Sequence, residues 1–182
     1  MSTTSNFIYP GNGVPHSKSK VNSAPNPDVQ NSRVKIKNAV IQSMEHLTED
    51  TFRIRVKLDG DEVFNSHAGQ YGTLKVEELE KPRAFSFARS PKSEKRGEYS
   101  FFIRQVPGGG FSKYLEKDRT GEKIILSGPM GGFGLDDSKE DMICIAGGSG
   151  MSAVNAIVEE AAHRKVKRNC YFFYGAREEK DL

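Results

Sequence analysis

Two cysteines, four histidines and no tryptophan occur among the 182 residues. So few thiols exclude a disulfide scaffold, an all-thiolate zinc site and a thiolate-held iron–sulfur cluster, and they suit the cytoplasm. His16, His46, His67 and His163 are scattered without ligand spacing, so no metal site is expected. Apolar runs are short. Met142–Ala146, among the longest, falls far below the roughly 20 residues needed to cross a bilayer. No charged-then-apolar secretory leader opens the chain. A formal charge of +3, with no aromatic–basic strip, is too small and dispersed to argue for nucleic acid, and none is expected as a partner.

Hydrophobic residues make up 36% of the chain, so a core requires that they be concentrated. Residues 1–32 work against this: nineteen of them are Ser, Asn, Pro, Thr or Gly, and they hold half of the eight prolines. That arm buries too little to offset its ordering entropy and is expected to be disordered.

From Val34 the pattern becomes a series of short strands. Val34, Ile36 and Ala39–Ile41 open it. Phe52, Ile54, Val56 and Leu58 alternate with Arg53, Arg55 and Lys57, the mark of a strand with one buried face. Tyr71–Val76, Ala84–Ala88, Tyr99–Ile103 and Lys123–Leu126 continue the series. Strands at this spacing predict an antiparallel β-barrel of about six strands over residues 33–135. One short helix is expected over Phe111–Lys117, with Tyr114 and Leu115 turned inward.

Between residues 129 and 140 the pattern changes. Met142–Ala146 reads as a strand covered on both faces. Gly147–Gly150 is a turn, and Met151, Val154, Ile157, Val158, Ala161 and Ala162 then recur at helical spacing. Glu159, Glu160, His163 and Arg164 fall on the other faces of that helix. Cys170–Tyr174 is a second apolar strand, and the two cysteines read as small core residues. Residues 136–182 thus predict the start of an α/β parallel-sheet nucleotide-binding domain. Two strands and one helix are few for such a sheet, which implies a truncated chain or one completed by a partner.

Ten of the eighteen glycines fall in three clusters: 108–110, 128–134 and 147–150. Gly147, Gly148, Ser149 and Gly150 lie where a strand meets a helix, a place where bare amides can receive a diphosphate. The turn is neither a P-loop nor a GxGxxG fingerprint, and a plain strand–helix turn is the alternative. Pro107–Ser112 repeats the arrangement on the β-rich part, with Ser112 as a simple helix cap the alternative. Arg83-Ala84-Phe85-Ser86 offers a guanidinium for a phosphate and a ring for stacking, or else core phenylalanine beside solvated arginine.

In this order, Arg83–Ser86, Pro107–Ser112, Gly147–Gly150 and Phe173–Arg177 resemble the ferredoxin–NADP reductase superfamily. The nearer likeness is to the flavin and nicotinamide portion of the reductase components of bacterial multicomponent oxygenases, over residues 33–182. The resemblance implies an FAD-binding barrel followed by a partial NAD(P)-binding domain, with the flavin in the cleft between them. It implies an oxidoreductase that takes hydride from NAD(P)H and passes electrons to an iron–sulfur protein or an oxygenase. Arg83 would meet the FAD diphosphate, Phe85 the flavin face and Ser86 the hydride-accepting nitrogen, which makes Ser86 the catalytic candidate. Ile103 and Arg104 would lie along the flavin edge, and Gly109, Gly110, Phe111 and Ser112 would hold the FAD phosphates. Gly147, Gly148, Ser149 and Gly150 would take the nicotinamide dinucleotide, with Gly175 and Arg177 beside its adenosine. Phe85 stands where relatives usually have Tyr. No iron–sulfur cluster is expected in this chain, since the family's ferredoxin domain needs four cysteines. Two rival readings are a non-catalytic FAD-binding fragment and a barrel without cofactor.

Overall fold

The computed structural model describes residues 33–179; the expected disordered arm at 1–32 lies outside the described residues. Six antiparallel strands form one sheet: β1 (Lys35–His46), β2 (Thr51–Leu58), β3 (Tyr71–Lys75), β4 (Arg83–Ser86), β5 (Glu98–Arg104) and β6 (Lys123–Met130). Their spatial order is β4-β3-β6-β1-β2-β5. Just beyond β4, the Ala88 amide donates to the Ser100 carbonyl of β5 at 2.8 Å, which brings the two edges together into a nearly closed barrel.

The alternation in β2 explains why this sheet curls around a core. Phe52, Ile54, Val56 and Leu58 point inward and are buried, while the intervening residues stay half-exposed. Arg53 on the outer face meets Glu45 of β1 at 3.0 Å. The centre is filled by Phe101, Leu126, Ile41, Leu74 and Phe87, with the Phe87 ring 5.1 Å from Tyr99 and 5.6 Å from Phe101. Tyr99 is placed by its hydroxyl, which accepts the Phe64 amide at 2.6 Å.

The helix expected over Phe111–Lys117 is shorter than predicted. α1 spans Gly110–Tyr114, and Leu115 ends it with its amide shared between the carbonyls of Phe111 and Ser112. Such shared bonds tighten a last turn and stop an α-helix. Tyr114 and Leu115 do face inward.

The second part holds β7 (Met142–Gly147), a short 3₁₀ turn over Gly148–Gly150, α2 (Met151–His163) and β8 (Cys170–Gly175), with β7 and β8 parallel. The sequence expectation that the Met142–Ala146 strand is covered on both faces is not met. Cys144 and Ala146 are buried with Val154 of α2, but Ile143 and Ile145 are 69% and 73% exposed. Tyr171 and Phe173 extend the same uncovered face on β8. One helix covers one face of a sheet, and among the described residues only α2 lies on this one.

Glu160, on a face of α2 away from its apolar stripe, is buried all the same, because the barrel segment 88–93 packs against the helix. The Ser90 hydroxyl donates to Glu160 Oε2 at 2.6 Å, Lys92 Nζ lies 3.4 Å from Oε1, and Arg164 Nε reaches Oε1 at 2.8 Å. Glu159 takes Arg89 Nε at 3.1 Å and the Ser90 amide at 3.0 Å. Asn155 donates to the Ala88 carbonyl at 2.7 Å. These bonds fasten α2 to the barrel. Burial pushes the Glu160 carboxyl up, but its hydrogen bonds from Ser90 and Arg164 and the Lys92 charge outweigh that and hold it below the ordinary glutamate range.

A carboxyl lowered on folding stabilises the fold at neutral pH, and that contribution is lost as pH falls through its folded value. Glu160→Gln is therefore expected to lower stability at pH 7 by about 1–3 kcal/mol, with the gap to wild type closing below the ordinary glutamate range in thermal melts against pH. A gap that widens in acid would contradict this. The uncovered sheet face carries its own prediction: Ile145→Thr with Phe173→Thr should reduce concentration-dependent self-association in light scattering and cost no more than roughly 1 kcal/mol.

Candidate functional site

Two places gather the candidate residues. At the first, β4 pairs with β3 so that Ser86 faces Tyr71, Phe85 faces Gly72 and Arg83 faces Leu74. The strand ends at Ser86, so Phe85 and Ser86 are its last two residues, and both are half-buried. The Phe85 ring is half-buried and rests 4.9 Å from Phe111 of α1, at a 53° tilt. Arg83 is exposed, with Nη1 3.3 Å from the carbonyls of Lys81 and Pro82.

The glycine loop before α1 is shaped by Ser112, which is not the helix cap. Gly109 holds the cap position with no side-chain bond, and the Ser112 hydroxyl instead accepts the Val106 amide at 2.8 Å. This folds the loop back on itself. A Cβ at Gly109 would come within 2.9 Å of Ser112 Oγ and of Val106 Cγ2, so a side chain there would break the turn. Gly108 adopts φ +73°, a left-handed conformation that favours glycine. Gly110, Phe111 and Ser112 form the uncapped first turn beside Phe85.

Ile103 and Arg104 turn their side chains to opposite sides of β5. Ile103 points into the barrel core and is 2% exposed, so it offers a ligand only its main chain. Arg104 points outward at the end of β5 and belongs to the second place. There, a crevice of about 400 Å³ opens between the β1–β2 turn, the end of β5, the Gly147–Gly150 turn and the end of β8. Its walls include Leu47, Phe102, Phe172 and Tyr174, with Arg104 and Arg177 supplying cations. Gly148 takes φ +51°, and a Cβ placed on it would lie 3.7 Å from Arg104 Nη1. Gly147 and Gly175 face each other across the paired strand ends, and Ser149 and Gly150 are exposed at the start of α2. α2 begins without a side-chain cap or an acidic residue in its first turn, so its positive end is not neutralised from within.

Asp50 went unnoticed in the sequence, where it is one acidic residue in a polar turn. It accepts Arg104 Nε at 2.7 Å and Arg177 Nη2 at 3.2 Å, joining a barrel arginine to one at the end of β8. Burial raises its carboxyl, but hydrogen bonds from Arg104, Thr51 and Thr48 more than reverse this and hold it below the usual range. It is an anion already seated between two arginines. Ser90, Asn155 and Glu159 were likewise missed as the means by which α2 is set against the barrel. Cys170, read as a core residue, is exposed. Among the described residues no three His, Cys, Asp or Glu side chains form a metal-binding group, and no helix is long and apolar enough to cross a membrane.

The residues at the first place suit a long ligand with an anionic middle and a flat ring: an exposed guanidinium, a half-buried aromatic face and a turn that excludes side chains. The crevice suits a second ligand with apolar rings and a diphosphate.

Residues 38–134 match the oxidoreductase FAD-binding domain family, and residues 144–182 match the oxidoreductase NAD-binding domain. Among curated relatives, the xylene/toluene monooxygenase electron transfer component XylA of Pseudomonas putida is 34% identical over 80% of this chain and 41% of its own length. The reductase component of the naphthalene 1,2-dioxygenase system of Pseudomonas putida is 36% identical over 81% of this chain and 43% of that protein. The chain thus spans less than half the length of these relatives. Among solved structures, the ferredoxin reductase of carbazole 1,9a-dioxygenase superposes with a TM-score of 0.73 at 31% identity, covering 82% of this chain and 45% of that one. With just over half its length matched by the first of these families, the chain belongs to the oxidoreductase FAD-binding domain family and continues into the start of an oxidoreductase NAD-binding domain.

Proposed function

We propose that this chain is the flavin-binding barrel, over 33–135, and the first part of the NAD(P)-binding domain, over 136–182, of an electron-transfer reductase that serves an iron–sulfur protein or an oxygenase. FAD, when bound, supplies the chemistry of accepting two electrons as hydride and releasing them singly. Arg83 forks onto its diphosphate, and the amides of Gly110, Phe111 and Ser112, with Gly109, hold the phosphates. Phe85 gives a stacking face without a phenol hydroxyl. Ser86, at the strand end, hydrogen-bonds beside the hydride-accepting nitrogen. The nicotinamide dinucleotide lies in the crevice, its diphosphate on Gly147–Gly150 and its adenosine bordered by Gly175 and Arg177. Arg104 serves this second ligand rather than the flavin edge.

The observation that carries this reading is the crevice itself, where Arg104 from the barrel and Arg177 from β8 converge on one carboxylate beside Gly148. A dinucleotide diphosphate has the charge to take the place that Asp50 now holds. A second reading is favoured by the uncovered face of Ile143, Ile145, Tyr171 and Phe173: the chain alone holds FAD but turns over poorly, because the nucleotide sheet has a helix on one face only.

Titration with FAD is expected to quench flavin fluorescence with a saturable isotherm. Arg83→Ala should raise the dissociation constant about tenfold or more, the contribution of one charge-assisted hydrogen bond. An Arg83→Ala isotherm that overlays the wild-type one would remove Arg83 from the site, and no binding by either protein would remove the flavin reading. Anaerobic NADH added to the FAD-loaded chain decides between the two readings. Slow bleaching of the visible flavin absorption is expected; bleaching complete within mixing would mean that these residues suffice for hydride transfer and would overturn the second reading.

A further inference from the structure

The two cysteines lie on neighbouring parallel strands and face the same side of the sheet. In the β7–β8 register Met142 pairs with Cys170 and Cys144 with Phe172. Cys144 and Cys170 are therefore diagonal neighbours on the face that packs under α2. Their sulfurs stand 3.8 Å apart, a contact between unbonded thiols rather than the about 2.05 Å of a disulfide. The two thiols are free but unequal. Cys170, the first residue of β8, is exposed, whereas Cys144 is buried with Ala146 and Val154. Burial raises the Cys144 thiol pKa, with Cys170 adding to the rise and the Arg168 charge opposing it. Accessible attack thus belongs to Cys170, and the second sulfur waits beside it in a protected position.

We propose that Cys144 and Cys170 form an oxidation site that hydroperoxides convert into a disulfide across β7 and β8. The Cys170 thiolate attacks the peroxide, forming an S–O bond and breaking the O–O bond; the departing oxygen takes a proton and leaves as water or alcohol. Cys144 Sγ then attacks Cys170 Sγ. The S–S bond forms, the S–O bond breaks, and the oxygen leaves with the Cys144 proton as water. With hydrogen peroxide the sum is two thiols and one peroxide giving one disulfide and two waters, the sulfurs oxidised and the peroxide oxygens reduced. Contact between the sulfurs gives the internal partner an effective concentration that a second chain cannot match in dilute solution. The new bond closes a loop that contains the Gly147–Gly150 turn and all of α2, and ties the strand leading into that turn to the strand ending at Gly175. This site needs no bound cofactor, so it stands or falls apart from the flavin reading.

The test treats the full chain with dilute hydrogen peroxide, blocks residual thiols, digests without reductant and maps the cysteines by mass spectrometry. The expected product is a monomer carrying one Cys144–Cys170 peptide pair, two hydrogens lighter and restored by dithiothreitol. Amide exchange over Cys170–Gly175 should slow on the order of tenfold in the oxidised form. Cys144→Ser should leave Cys170 as a sulfenic acid trapped by dimedone, and Cys170→Ser should leave Cys144 as an unreacted thiol, each with an unchanged far-ultraviolet spectrum. Mapping in the wild-type chain decides the matter even where a variant fails to fold. Two reduced cysteines in a tube where added glutathione is oxidised would overturn the proposal, as would dimers joined through Cys170 alone. Equal oxidation of Cys144 with and without Cys170 would overturn the assigned order of attack.

Discussion

Glu160 brings a negative charge to a place where its side chain is 9% exposed, and three groups from two directions meet it there: Ser90 and Lys92 from the barrel, Arg164 from its own helix. A buried carboxylate is tolerated only when its oxygens are satisfied, so the position of α2 is tied to the segment 88–93. That segment continues β4. The end of the strand carrying Phe85 and Ser86 is therefore set relative to the helix that begins at Met151, and the candidate sites on the two halves inherit their separation from this contact. Apolar burial between the halves is modest, with Ala68 and Leu135 meeting Ala156 and Ile157. Direction comes from the polar bonds.

The same logic appears at Asp50, with a different result. Here two arginines from opposite halves share one carboxylate at the mouth of a crevice rather than in a closed contact. Arg177 is exposed and Arg104 half-buried, so this carboxylate lies at an open mouth, whereas Glu160 is enclosed. One cluster is closed and the other open. That division fits a protein whose proposed ligand must enter between its halves.

The barrel was legible because its strands alternate. In β2 every second residue is apolar, and a strand so written can present only one face to a core. Ile103 and Arg104 follow the same rule: adjacent strand residues point oppositely, so the Ile103 side chain enters the core while that of Arg104 lines the crevice. The Arg83, Gly109 and Gly147 clusters stood out as candidates because glycine and arginine mark backbone approach and anions. The burial of Glu160 did not. Helical spacing shows which residues share a side of α2, but that helix meets two surfaces, the sheet and the barrel, and the second is apparent only once the barrel is built. Asp50 left no signal, since its meaning lies in arginines 54 and 127 residues away. The exposed Ile143 and Ile145 misled in the other direction, because an apolar run records what a strand is suited to touch and not what is present.

The packing of Phe85 on Phe111 has a thermodynamic corollary. The stacking ring belongs to β4 and the amide turn to α1, yet their ring contact joins them into one platform before any ligand arrives. On the proposed reading the flat ring and the diphosphate of a single extended molecule are recognised by that platform, so seating one delivers the other already aligned. Half-molecules, an adenine nucleotide or a bare isoalloxazine, would each bear the full translational loss alone, and the whole would bind more tightly than the product of its parts.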